Sequence, residues 1–323
     1  MTPPPQILLL LTNSIDYVSD MIVSSLGTDL VFRYNTDLWQ DYKLSITPDA
    51  IAIENPAGRK IVDANIVKVF RRSNARASTL FPDRPMTQDE RFAEEEMWEA
   101  WNDLMNIFWL QEKVVLSQPL ATLRLGKLHQ LRLAKKYFSM PSYRYLVGTP
   151  ESFRPGHESV AKSFSFKFDL GVGFYSRRVK ETELDPKYPW FLTEFVDAER
   201  DVTVAVVRDE LFAFSLDRSA FIRDTIDWRL APSEYAHRNW KPATLPEELT
   251  KGIFAFLADV GAHYARLDFL QAGDRFMFLE SNFTGEWAWL DADNTHGLMK
   301  KILHEIDPRT PVHPCPRLVW SDR

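Results

Sequence analysis

The sequence has one cysteine, Cys315, in 323 residues. An intrachain disulfide and a Cys-rich metal site are excluded, and a reducing cytoplasm is the compartment that fits. Positive charge is in deficit: 39 Lys and Arg against 45 Asp and Glu leave a net charge of −6. A general nucleic-acid binder wants a basic surface, so that class is set aside; a local basic pocket is not. Long apolar runs are missing. The N-terminal run Ile7–Leu11 is too short for a signal core or a membrane span, and no basic residue precedes it. There is no internal repeat and no low-complexity stretch beyond Pro3-Pro4-Pro5. The seven histidines have no HExxH or paired-ligand spacing, and no GxSxG elbow, Walker A loop or GxGxxG fingerprint occurs. Covalent nucleophilic catalysis and zinc chemistry therefore have no support. What remains is ordinary globular composition, 45% hydrophobic and 26% charged, on a chain long enough for two or three domains or lobes.

Periodicity and punctuation place the elements. Ile7–Thr12 reads as a buried strand. Ser14 is placed to cap a helix over Ile15–Leu26 that Gly27 stops. Strands are expected at Leu30–Tyr34 and Ile66–Phe70. Between them Leu44–Ile53 and Lys60–Ile61 form a hairpin about Pro56-Ala57-Gly58. Thr87 caps a long helix over Gln88–Val114, whose Phe92, Trp98, Trp101, Met105 and Phe108 recur at helical spacing as core or as a subunit contact. These residues, up to about 117, make a small α/β domain. Gly126–Phe138 is helical and ends before Met140-Pro141. Tyr143–Val147, Val160–Phe168, Gly173–Val179 and Phe191–Val196 read as strands, the middle two flanking a glycine-rich turn at Gly171 and Gly173. Val202–Val207 and Glu210–Leu216 pair about Arg208-Asp209, a helix covers Pro246–Arg266, and a last helix covers Thr295–Ile306.

The most informative stretch is Ala265–Asp291. Two apolar runs, Leu267–Leu270 and Arg275–Leu279, flank Gln-Ala-Gly-Asp, a hairpin signal. Asp268 lies inside the first run, and Glu280 and Asn282 close the second. Strand residues two apart share a face, so Glu280 and Asn282 point the same way and Asp268 reaches them from the neighbouring strand. Two carboxylates and an amide oxygen make a hard-oxygen site suited to magnesium held jointly with phosphate, or else a merely polar hairpin end. Lys127 at a helix N-terminus adds its charge to the dipole, which favours phosphate. Lys162 interrupts an apolar strand; it either meets an anion or protects a sheet edge. Thr193–Val196 offers an extended hinge to a planar base, or is a plain linker. Arg218 and Asp227-Trp228-Arg229 bring arginine forks, suited to carboxylate or phosphate, beside acidic groups.

In this order and spacing, Lys127, Lys162, Glu194-Phe195-Val196, Asp268 and Glu280-x-Asn282 resemble the ATP-grasp superfamily. Phe32-Arg33-Tyr34-Asn35-Thr36-Asp37, Phe70-Arg71-Arg72, Asp227-Trp228-Arg229 and Gly285-Glu286-Trp287 resemble its peptide-cyclising branch, the microviridin-type (graspetide) ligases. The resemblance implies an α/β (α+β) fold with an N-terminal pre-ATP-grasp domain (1–117), a central lobe with a lid (118–193) and a C-terminal lobe with a magnesium site (194–323). It implies ATP phosphates on Lys127 and Lys162, and the nucleotide along Glu194, Phe195, Val196, Asp201 and Leu279. Two magnesium ions would sit on Asp268, Glu280 and Asn282. Arg218, Arg229 and Lys162 would serve catalysis, and Arg72, Asp227, Arg229 and Glu286 the substrate. The implied activity is a cytoplasmic, ADP-forming ligase that closes side-chain ester or amide rings in a ribosomal precursor peptide with leader and core, working as a homodimer away from nucleic acid and membrane. A ligase joining an amino acid or small acid to a small molecule or peptide, or an inactive nucleotide- or peptide-binding member, would carry the same fold. One position departs from the pattern. Relatives tend to carry arginine two residues after the acidic residue that follows the hinge, and Asp201-Val202-Thr203 puts threonine there. Arg200 or another arginine is then expected to supply the cation.

Overall fold

A computed structural model describes residues 5–72, 76–81, 84–117, 125–154, 156–163, 175–219, 225–230, 239–291 and 293–312. The expected Gly171/Gly173 turn lies outside the described residues. Strand β1 (Ile7–Thr12) is buried at all six positions and runs parallel to β2 (Val31–Asn35) and to β6 (Ile66–Arg71), in the order β2-β1-β6. Parallel strands need a crossover, and helix α1 (Tyr17–Leu26) makes it between β1 and β2. Its cap is Asp16, which accepts from the Val18 N–H, and not Ser14. The Ser14 N–H and hydroxyl are both given to Asp37, at 2.9 and 2.5 Å.

The stretch expected as one hairpin is a three-stranded antiparallel sheet, β3 (Lys43–Ile46), β4 (Ile51–Glu54) and β5 (Lys60–Val62). Its second turn carries Gly58 at φ 80°, which only glycine takes freely. Helix α2 (Gln88–Leu110) starts with a complete capping box between Thr87 and Glu90. It buries Trp101, Leu104, Met105 and Phe108, but Phe92 is 66% exposed, so the expected aromatic stripe is split between core and surface. The helix stops four residues before Val114, which bridges to Val69 instead.

Helix α3 (Lys127–Ala134) ends before Phe138, whose ring leaves the helix to pack on Phe269 and Phe278. An antiparallel sheet follows, β7 (Tyr143–Leu146), β8 (Glu158–Lys162), β9 (Arg177–Lys180) and β10 (Trp190–Thr193), ordered β7-β10-β8-β9. The largest sheet comprises β11 (Arg200–Val207), β12 (Glu210–Asp217), β13 (Lys241–Pro242), β14 (Tyr264–Ala272) and β15 (Arg275–Asn282), ordered β13-β12-β11-β14-β15. Helix α4 (Glu247–Val260) is shorter than expected because Gly261 takes a left-handed φ of 62° and stops it, and β14 begins at Tyr264. Val202, Val204 and Val206 of β11 pack with Ile253 and Phe256 of α4. Strand alternation turns Asp201 and Thr203 to the other face, and Ala205 and Val207 on that face join the core that holds β1 and α1.

Helix α5 (Leu298–Ile306) completes that core and ties the last sheet to the first. Asp291 begins it by accepting from the His296 and Met299 N–H groups. Lys68, wholly buried on β6, donates to the Glu305 carbonyl at 2.6 Å and to the Thr310 hydroxyl at 2.7 Å. Burial pulls its ammonium down to about 8, while Glu305 and Asp307 resist. Removing it leaves that carbonyl unpaired, so Lys68→Ala should cost about 2 kcal/mol, a fall of roughly 3 °C in thermal midpoint by calorimetry. Among the described residues no helix is long and apolar enough to cross a membrane.

Candidate active site

Between the β7–β10 sheet and the β11–β15 sheet lies a cleft of about 730 Å³. Every site residue expected from the sequence lines it except Arg72. One wall is the hairpin β14–β15. Gly273, at φ 57°, makes its turn, and the register sets Asp268 opposite Glu280 and Arg266 opposite Asn282. The pairing then slips, so that Phe269 faces Phe278 and Leu279 is the extra residue of a bulge. A bulge re-aims side chains, and here Leu279 and Glu280, adjacent in sequence, both line the cleft.

Each oxygen of Asp268 is engaged. The Thr203 hydroxyl, directly across on β11, donates to one at 2.7 Å, and Arg266 donates to the other at 3.2 Å. Arg266 also donates to the Glu286 carbonyl at 2.9 Å. Lys127, the first residue of α3, sits 3.1 Å from a Glu280 oxygen. Burial disfavours the Glu280 carboxylate, yet Lys127 and Lys162 hold it below the usual carboxylate range. Burial pulls the Lys162 ammonium down to about 8, against the attraction of Glu280, and Lys127 adds to the fall. Two carboxylates, an amide oxygen and two amines thus share one end of the cleft. The donor set fits magnesium: all ligands are hard oxygens and the charges are already partly balanced by cations that a phosphate can take over.

The hinge after β10 is anchored by Glu194, whose N–H donates to the Ser142 carbonyl at 2.9 Å. That donor is committed, so the Glu194 N–H is not among those a ligand can use. Phe195, Val196, Val160 and Leu279 line the neighbouring surface, and the Arg178 guanidinium lies 3.5 Å from the Phe195 ring centre. The two expected arginines are both ion-paired, Arg218 through one nitrogen and Arg229 through two. Arg218, buried, binds both oxygens of Asp201 at 2.9 and 2.8 Å. Burial raises the Asp201 carboxyl, to about 7, against that pull. Arg229 binds Asp227 at 2.8 and 2.6 Å, and the Ser176 N–H donates to the same carboxylate. Trp228, Trp240 and Trp289 pack against one another with ring centres 5.4, 5.2 and 5.1 Å apart and line the same cleft.

No family model and no curated protein matches the chain. Solved structures do. A RiPP-associated ATP-grasp ligase from Chryseobacterium gregarium, in complex with ADP and a leader and core peptide, matches at TM-score 0.75 and 22% identity, over 95% of this chain and 98% of its own. The macrocyclase MdnC from Microcystis aeruginosa MRC, bound with precursor peptide MdnA, matches at TM-score 0.75 and 17% identity, over 92% and 98%. The ATP-grasp ligase PsnB, complexed with a phosphomimetic variant of a minimal precursor, Mg and ADP, matches at TM-score 0.69 and 15% identity, over 93% and 97%. This chain has the ATP-grasp fold.

Within this cleft the geometry bears on three of the expected arginines. Arg200 does not stand in for the missing arginine at 203. It is exposed on β11, and alternation turns it away from Asp201 and the cleft. A further cation on the cleft face is Arg266, diagonal to Thr203 and two residues before Asp268 on the same strand. Strand periodicity could have found it, since Arg266, Asp268, Glu280 and Asn282 share one face. Burial disfavours its charge, and Asp268, Tyr264 and Glu280 together more than restore it. Arg218 lines the cleft while paired to Asp201. Arg72, 1% exposed, stands behind the cleft wall; it donates to Glu286 at 2.6 Å and to the Thr284 carbonyl at 3.3 Å, and so holds Glu286 rather than presenting itself to a substrate.

Proposed function

We propose that this protein activates a carboxylate of a ribosomally made precursor peptide with ATP and closes an ester or amide macrocycle in it. The observation that carries the reading is the convergence of Asp268, Glu280 and Asn282 with Lys127, Lys162 and Arg266 at one end of a cleft large enough for a nucleotide. Similar structures hold ADP and precursor peptides in the same fold.

In this reading the base lies between Leu279 and the hinge at Phe195 and Val196, and Lys127 and Lys162 take the phosphates. Magnesium on Asp268, Glu280 and Asn282 would spread the charge of the transferring phosphoryl group. A substrate carboxylate oxygen attacks the γ-phosphorus, the bond to the β-phosphate oxygen breaks, and ADP and an acylphosphate result. A Ser or Thr hydroxyl or a Lys amine then attacks the acyl carbon, loses its proton, and expels phosphate. Arg266 and Arg229 meet the anionic end of the acylphosphate. Trp228, Trp240 and Trp289 give the peptide an apolar wall and keep water from the acylphosphate.

The Lys162 ammonium gives a pH signature. A phosphate beside it raises a value that stands at about 8 in the free protein. ADP binding at about pH 8.5 should therefore take up a proton, and affinity should fall as pH rises through that value. Calorimetry in buffers of different ionisation enthalpy reads the uptake; no uptake would remove Lys162 from the phosphate site. The reaction is tested by ADP release with and without a precursor peptide encoded beside this protein, and by mass spectrometry. The expected product has lost one water mass per ring. ADP release driven by free amino acids or small acids, and not by peptide, would overturn the proposal.

A further inference from the structure

Among the described residues strand β15 is the outer strand of its sheet, and on its far edge it meets only an isolated bridge between Ser139 and Met277. At Ser281, between Glu280 and Asn282, the open edge is covered by one side chain. The Gln130 amide donates to the Ser281 carbonyl at 2.7 Å and accepts from the Ser281 N–H at 2.9 Å. It supplies the two bonds that a neighbouring strand would make. Gln130 is 6% exposed, and both ends of its amide are used. It lies three residues after Lys127 on α3, so the two share a helix face and meet consecutive residues of β15, Glu280 and Ser281.

These two contacts differ in kind. The Lys127–Glu280 pair is exchangeable, because a phosphate competes for the lysine and a cation for the carboxylate. The Gln130 clamp is neutral, and neither ligand competes for it. We propose that Gln130 is a positioning residue of the metal-binding strand. It fixes the Ser281 backbone, and through it the directions of Glu280 and Asn282, when Lys127 leaves Glu280 for a phosphate. The inference rests on the nucleotide–magnesium reading of the cleft, and it assigns to Gln130 the coupling between helix α3, which carries the phosphate lysine, and the strand that carries the cation ligands.

The test uses Mn²⁺ and ADP with the full chain, following free Mn²⁺ by electron paramagnetic resonance. Gln130→Met keeps the length and removes both hydrogen bonds. It should weaken Mn²⁺ binding in the presence of ADP about tenfold or more, as loss of a supporting contact does at other metal sites. Binding of ADP in EDTA should stay within about twofold, because the clamp acts on the cation ligands and not on the base or the lysines. Gln130→Glu keeps the acceptor for the Ser281 N–H, loses the donor, and should fall between the two; it decides the matter by itself if Gln130→Met does not fold. Mn²⁺ affinity unchanged in these variants would overturn the proposal. So would an equal loss of ADP binding in EDTA, which would mean a general loosening of the lobe. Failure of the underlying reading looks different: the wild type itself would take up no Mn²⁺ with ADP.

Discussion

Glu280→Gln should abolish ATP turnover, lowering kcat about a thousandfold or more while the thermal midpoint moves by only a few degrees. The substitution keeps the size and one oxygen but removes the charge that opposes two lysines and would bind the cation. Glu280 reaches the cleft because of the bulge at Leu279, so its position is a backbone property that the amide does not change. In the free protein the variant also leaves Lys127 and Lys162 facing each other without their shared carboxylate, which should push the Lys162 ammonium down further. A modest effect on folding and a large one on catalysis separate a site residue from a structural one. Near-normal turnover, read by coupled ADP release, would remove Glu280 from the metal site and with it the reason for placing phosphates there.

Arg266→Met should be nearly as severe, with kcat down about 10²–10³-fold, the loss typical of a donor aimed at developing negative charge. Arginine is missing at position 203, where Thr203 instead donates to Asp268. Arg218 and Arg229 are ion-paired to Asp201 and Asp227. Arg266 lies on the cleft face with two bonds, to Asp268 and to the Glu286 carbonyl. The Arg266→Met loss should fall mainly on kcat, since the nucleotide keeps its lysines. Thr203→Val removes one hydrogen bond to a carboxylate and should cost only about tenfold. If Arg266→Met stayed within about threefold of wild type while Arg229→Met collapsed, the acylphosphate cation would be Arg229, and the assignment of Arg266 would be wrong.

Local rules made much of this site readable from the sequence. Period two sets Asp268, Glu280 and Asn282 on one face, and the Gly273 turn brings their strands together. The same rule covers Arg266, whose significance shows only once Thr203 is known to face it diagonally. Other features depend on contacts that no short window contains. The bulge at Leu279 has no sequence mark. The pairing of Arg218 with Asp201 joins the residue just past β12 to β11, and the Gln130 clamp joins a helix to a strand edge 151 residues away. Arg72 reads as a cation at a strand end, but its burial behind Glu286 follows from how the first sheet meets the last. Helix ends misled for a physical reason as well: Ser14 and Asp16 are both good caps, and the choice between them is made by Asp37, 23 residues away from Ser14.

The most direct measurement is a crystal structure of the protein with ADP and Mn²⁺, using the anomalous signal of manganese. Manganese density is expected bounded by Asp268, Glu280 and Asn282, with the diphosphate in hydrogen-bond reach of Lys127 and Lys162. A diphosphate seated elsewhere, or manganese away from those three side chains, would contradict it.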